Sequence, residues 1–178
     1  NNLWQSWNSF LRSFWLIYLL GGFDIKRNVI EPYPRFTEKS IDEAIHFILY
    51  ILKKKKNPIG IIKGSYEEPT WGDINIIRKI AAYKYIGTSD VSKISNRISG
   101  TLSILGNTPK HFQKVRNSAI HLNAYTMNDI IRNVIPYYAI KDIKYPTEIL
   151  FSKNIQTGKI AYDLWIEDLL AVIKIIYI

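Results

Sequence analysis

Cysteine is absent from the 178 residues. That excludes a disulfide framework, thiol catalysis and zinc held by thiolates. It fits a reducing cytosol, and the cytoplasm is the expected compartment. Apolar runs of membrane length are also missing. Leu3 to Leu20 comes nearest, but Gln5, Ser6, Asn8, Ser9, Arg12 and Ser13 interrupt it. Its unbroken part, Phe14 to Leu20, is far short of the ~20 residues that a span requires. It has neither the basic start nor the small-residue cleavage site of a secretory signal, so no membrane association is expected. Glycine-rich phosphate loops are lacking, since Gly60-Ile61-Ile62-Lys63-Gly64 has neither the spacing nor the strand–helix context of one. The chain has three histidines, and none combines with Asp or Glu at metal-ligand spacing. Neither a metal nor any other cofactor is expected. One further absence is local. From Val91 to Asn128 there is no Asp or Glu, while the same window holds Lys93, Arg97, Lys110, Lys114, Arg116, His111 and His121.

What the chain does contain is apolar and basic. Apolar residues make up 47%, with five Trp, seven Phe and twelve Tyr. That is enough to build a core, and the length suits a single domain over 1–178. The net charge of +9 favours a polyanionic partner. Because the acid-free window concentrates part of that charge, nucleic acid is the expected partner.

Helical periodicity dominates, strand signals are sparse and no internal repeat is visible. Leu3, Trp7, Phe10, Phe14, Ile17 and Tyr18 recur at helical spacing to Leu20, where Gly21-Gly22 stops the run. Ser40-Ile41-Asp42-Glu43 is a capping box that opens a second helix to about Leu52, with Lys53 to Lys56 at its negative end. Asp73 caps a third helix to about Tyr85, and Thr88 or Ser89 a fourth to about Gly106. Thr108-Pro109 pairs an N-cap with proline at the first helical position, and the helix it opens is expected to run to about Ile135. A last helix starts near Ala161; the sequence leaves open whether Val172 to Ile178 stays helical. The expected architecture is an all-α bundle of about five to six helices.

The late long helix carries Arg116-Asn117-Ser118-Ala119-Ile120-His121. Arginine is a permanent planar cation suited to phosphate, and histidine moves protons near neutral pH. Five residues apart, the two point about 140° from one another on a regular helix, so one straight helix cannot aim both into a small pocket. Asn117 and His121 share a face, which Tyr125 and Asn128 continue. Val115, Ala119 and Leu122 form an apolar stripe beside it. Two copies of the helix would gather two arginines and two histidines in one cleft.

These residues resemble the Arg-Asn-x-x-x-His signature of HEPN domains, all-α bundles of bacterial toxin–antitoxin and phage-defence systems. The resemblance covers six residues and the architecture. It implies a metal-independent endoribonuclease, usually a homodimer with a composite site at its two-fold axis and often restrained by an antitoxin protein such as a small nucleotidyltransferase. The family also contains members that only bind RNA or nucleotides. On this reading Arg116, Asn117 and His121 are catalytic. Lys110, Lys114, Lys93 and Arg97 guide the RNA backbone, and Tyr125 stacks on a base or holds His121. The alternatives are a non-catalytic RNA- or nucleotide-binding module, in which the same basic face binds without turnover, and a purely structural or dimerisation domain. His46, among Ile45, Phe47 and Ile48, reads as a core or interface histidine; His111 contacts RNA or nothing.

Overall fold

A computed structural model describes residues 2–24, 26–33, 36, 40–83, 98, 100–102 and 107–177. The described chain is predominantly helical. It falls into two compact units, one made of residues 104–173 and the other of residues 2–103 with the end of the last helix.

In the N-terminal unit α1 spans Asn2–Leu20 and α2 Ile41–Ile51. A two-residue antiparallel hairpin lies between them, β1 (Gly22–Phe23) against β2 (Val29–Ile30). The third helix, α3, spans Ile74–Ala81. The buried stripe of α1 is Trp4, Trp7, Leu11, Phe14, Trp15, Leu16 and Leu19. It is turned from the expected one, because the loop after α2 docks along the flank of the helix. There the Trp7 indole donates to the Gly72 carbonyl (3.1 Å), and Asn8 Oδ1 accepts the Gly72 N–H (2.8 Å). Arg12 meets Glu68 with two nitrogens, at 2.7 and 3.0 Å, and the Trp71 indole donates to the same carboxylate.

The capping signals act as read. Ser40 Oγ accepts the Glu43 N–H while Glu43 Oε2 accepts the Ser40 N–H, and Asp73 Oδ1 accepts the N–H groups of Asn75 and Ile76. Two orphan donors at each helix start are thereby satisfied. The helix after Asp73 ends at Ala81, short of the expected Tyr85, and most of the expected fourth helix lies outside the described residues. His46 is a core histidine: it is buried in α2, with Nε2 3.0 Å from the Asn57 carbonyl and Nδ1 3.3 Å from that of Ile61.

The C-terminal unit holds α4 (Thr108–Ile120), α5 (Ala124–Asn133) and most of α6 (Ala161–Tyr177). Short 3₁₀ turns occupy Ile135–Tyr137 and Pro146–Phe151. The stretch left open, Val172 to Ile178, is helical to Tyr177. Asn107, not Thr108, stands before the first helical residue, which moves Pro109 to the second position. No Pro109 N–H is needed there, so the proline is still well placed.

The expected single helix from Pro109 to Ile135 is in fact two. It breaks at His121, Leu122 and Asn123 because Asn123 is itself a helix cap. Its Oδ1 accepts the Thr126 N–H (3.0 Å) and Thr126 Oγ1 accepts the Asn123 N–H (3.3 Å). The antiparallel return lets α4 pack against α5 and the turn Pro146–Phe151. The buried face of α4 is accordingly His111, Phe112, Val115 and Ser118, whereas Ala119 and Leu122 of the expected apolar stripe are exposed. Beneath that face Phe112 packs on Trp165, and Tyr138 meets Trp165 edge-on.

Candidate functional site

The break changes the geometry of the motif. Asn117 lies in the last turn of α4 with Arg116 just before it, and His121 is the residue that ends the helix, with φ −117° and ψ 60°. The His121 N–H donates to the Asn117 carbonyl (2.9 Å), which is the final hydrogen bond of α4. The His121 carbonyl accepts from Asn123 Nδ2 (3.0 Å) and Thr126 Oγ1 (2.8 Å). The backbone at His121 is therefore fixed from both helices. Its ring is exposed.

Arg116 folds across its neighbour. Nη1 donates to Asn117 Oδ1 at 3.0 Å, which draws the guanidinium round toward the face that Asn117 shares with His121. The ~140° separation on an ideal helix is thus partly undone by the length of the arginine side chain. The Arg116 Nε is buried and has no hydrogen-bond partner. An unmade bond at a charged group is costly, which leaves this guanidinium with unused donor capacity.

The structure brings together Arg116, Asn117 and the His121 backbone, but not the polar stripe as a whole. Tyr125 and Asn128 belong to α5, not to the helix of Asn117, so the expected continuous face does not exist. Tyr125 is 83% exposed. It lines a shallow cleft of about 280 Å³ with Asn128, Asp129, Arg132 and Asn133. Lys114 is not a free cation. The carboxylate just beyond the acid-free window, Asp129, folds back onto it at 2.5 Å, and Asn133 Nδ2 donates to the same carboxylate. Burial raises the Asp129 pKa, but the bonds from Lys114 and Asn133 outweigh it and hold the carboxyl below its usual range. Lys110 has no ion-pair partner among the described residues. On a regular helix Lys110, Lys114, Asn117 and His121 fall within about 60° of one another, so one edge of α4 runs from a lysine pair to the motif. Lys93 and Arg97 lie outside the described residues.

Sequence reasoning missed the setting of His111. This residue is buried, with its Nδ1 3.2 Å from the Tyr138 hydroxyl and its ring 4.6 Å from that of Tyr137. Burial pushes its pKa down to about 4, and Lys114 and Lys110 add to the effect. The Tyr138 hydroxyl in turn accepts from the Trp165 indole (2.8 Å), and burial pushes its pKa up to about 12. The partner residues are far apart in sequence, so no local pattern announces this network.

Among the described residues no three His, Asp or Glu side chains cluster as a metal ion would need, and no helix is long and apolar enough to cross a membrane. Comparison of the chain with protein-family models, with curated proteins and with solved structures returns no match.

Proposed function

We propose that the chain is a HEPN-like, metal-independent endoribonuclease of the toxin–antitoxin or phage-defence type. The observation that carries this reading is the gathering of Arg116, Asn117 and His121 at the C-terminal end of α4, beside an edge with an uncommitted lysine. In the proposed reaction the ribose 2′-hydroxyl loses its proton to a histidine and its oxygen bonds to the adjacent phosphorus. The P–O5′ bond then breaks, and O5′ takes up a proton. The products are a 2′,3′-cyclic phosphate and a 5′-hydroxyl. His121 suits the proton transfers. The Arg116 guanidinium, a permanent planar cation, suits the charge that builds on the phosphoryl oxygens. Asn117 acts by holding Arg116 rather than His121, because its Oδ1 is already engaged there.

Two features favour a homodimer. The His121 side chain has no hydrogen-bond partner among the described residues, and a general base needs an orienting group. At the same corner Ile120 and Leu122 are 43% and 53% exposed, which gives a second copy an apolar patch to cover. A dimer across this corner supplies a histidine for each proton transfer and a second arginine. In the cell a protein antitoxin would restrain it.

The test is incubation of purified protein with single-stranded and structured RNA in EDTA, alongside His121→Ala and Arg116→Ala. Wild type is expected to cleave and both variants to lose at least a hundredfold in rate, in line with the usual contribution of one acid–base group. Equal cleavage by wild type and His121→Ala refutes the reading. Salt-sensitive RNA binding without cleavage assigns the chain instead to a non-catalytic binding module. A monomeric mass at micromolar concentration contradicts the composite site.

A further inference from the structure

A second polar site lies at the other end of α4. Asn107, Lys110, His111, Lys114, Asn133 and Tyr137 line a cleft of about 240 Å³. That is smaller than the ~300 Å³ at which small-molecule pockets usually begin, and is suited to one compact group. The lining has two ammonium groups, two amides and no carboxylate. Asp129 pairs with the lining residue Lys114 without lining the cleft itself.

The network behind His111 fixes what its ring offers. The Trp165 indole can only donate, and it donates to the Tyr138 oxygen. Tyr138 is buried, and His111 Nδ1 (3.2 Å) is the acceptor that its hydroxyl proton has among the described residues, so the Tyr138 proton goes to Nδ1. The neutral ring then carries its remaining proton on Nε2. His111 is 4% exposed, and its Nε2 has no partner among the described residues. It faces a cleft beside the first turn of a 13-residue helix, where the helix dipole also favours negative charge.

We propose that this cleft is a phosphate-binding site, separate from the cleavage motif, in which the His111 Nε2–H and the Lys110 ammonium hold the oxyanion and Tyr137 flanks the group that carries it. Asn107 donates to the Tyr137 hydroxyl at 3.0 Å and so holds that ring at the rim. From His111 to His121 is about 15 Å along the helix axis, so the two sites are distinct. The proposal rests on the cleft and not on the cleavage reading.

The experiment is histidine-selective NMR on the whole chain, titrated with inorganic phosphate, with AMP, and with a short oligoribonucleotide bearing a 5′-phosphate or a 5′-hydroxyl, the last two in His121→Ala. We expect the His111 signals to show an Nε2–H tautomer before any ligand is added. Phosphate should then shift them saturably and move the His111 titration midpoint upward, while Lys110→Gln weakens binding at least tenfold, Lys110→Arg restores it and His121→Ala binds as wild type does. Preference for AMP and the 5′-phosphorylated strand identifies a terminal phosphate, and equal binding of both strands a backbone phosphate. An Nδ1–H tautomer, unmoved His111 signals through the millimolar range, unchanged binding by Lys110→Gln, or lost phosphate binding in His121→Ala each overturns the proposal. RNA cleavage enters none of these readouts.

Discussion

Replacing Asn123 with alanine tests the break that sets His121 outside the helix. The substitution removes the acceptor of the Thr126 N–H and the donor to the His121 carbonyl, each at 3.0 Å. Loss of an N-cap of this kind costs about 1 kcal/mol. The bond to His121 is exposed to solvent, and water replaces most of it. For a chain of this length, about 1 kcal/mol lowers Tm by roughly 2–4 °C. Were α4 and α5 one continuous helix, the sign would reverse, because alanine propagates a helix better than asparagine by roughly half a kcal/mol. Asn123→Asp separates stability from positioning. It keeps the acceptor and adds a negative charge at the helix start, where it is favourable, but it cannot donate to the His121 carbonyl. Thermal unfolding by circular dichroism and single-turnover RNA cleavage report the two effects. Asn123→Ala should lower both Tm and the cleavage rate; Asn123→Asp should keep Tm and lower only the rate. A Tm that holds or rises in Asn123→Ala refutes the reasoning.

Two further outcomes follow from buried histidines. His111 binds its proton at about pH 4 when folded and near 6.5 when unfolded. Stability is therefore complete above pH 6.5 and falls as pH drops toward 4, because the unfolded chain takes up a proton that the native state refuses; the loss is at most about 3 kcal/mol. Urea unfolding at pH 7 and pH 5 should show this slope in wild type and a flatter one in His111→Gln, and equal slopes would contradict the assignment. In the N-terminal unit Gly60 has φ +156°, and a Cβ there would stand 2.6 Å from His46 Cε1. Carbonyls bracket both ring nitrogens, so the ring has little freedom to yield. Gly60→Ala should destabilise by about 1–3 kcal/mol, read as a lower denaturation midpoint; an unchanged midpoint would show that the loop relaxes.

The helix starts were legible because their chemistry is local. Ser40 with Glu43, Asp73 and Pro109 each satisfy or avoid an orphan donor within a few residues. The break at His121 was not, because its cap pairs Asn123 with Thr126 where the commoner signature has glutamate or glutamine. Apolar spacing through Val115, Ala119 and Leu122 also runs straight across it. The rotation of the α1 stripe depends on a loop more than fifty residues away, and the neutralisation of Lys114 on a carboxylate from another helix. At the site, residue types and order could be read from six consecutive residues. The folding of Arg116 onto Asn117, the fixed His121 backbone and the His111–Tyr138–Trp165 network required tertiary structure, since each depends on side-chain reach or on partners brought close only by packing.

Cleavage by 2′-hydroxyl attack is tested most directly with an RNA cleaved at one mapped position beside the same strand carrying a single 2′-deoxyribose immediately 5′ of that bond. In EDTA, the all-ribose strand should yield a 2′,3′-cyclic phosphate and a 5′-hydroxyl by mass spectrometry, and the deoxy-substituted strand should stay intact. Cleavage of both strands, or products that carry a 5′-phosphate, would contradict the mechanism assigned to Arg116 and His121.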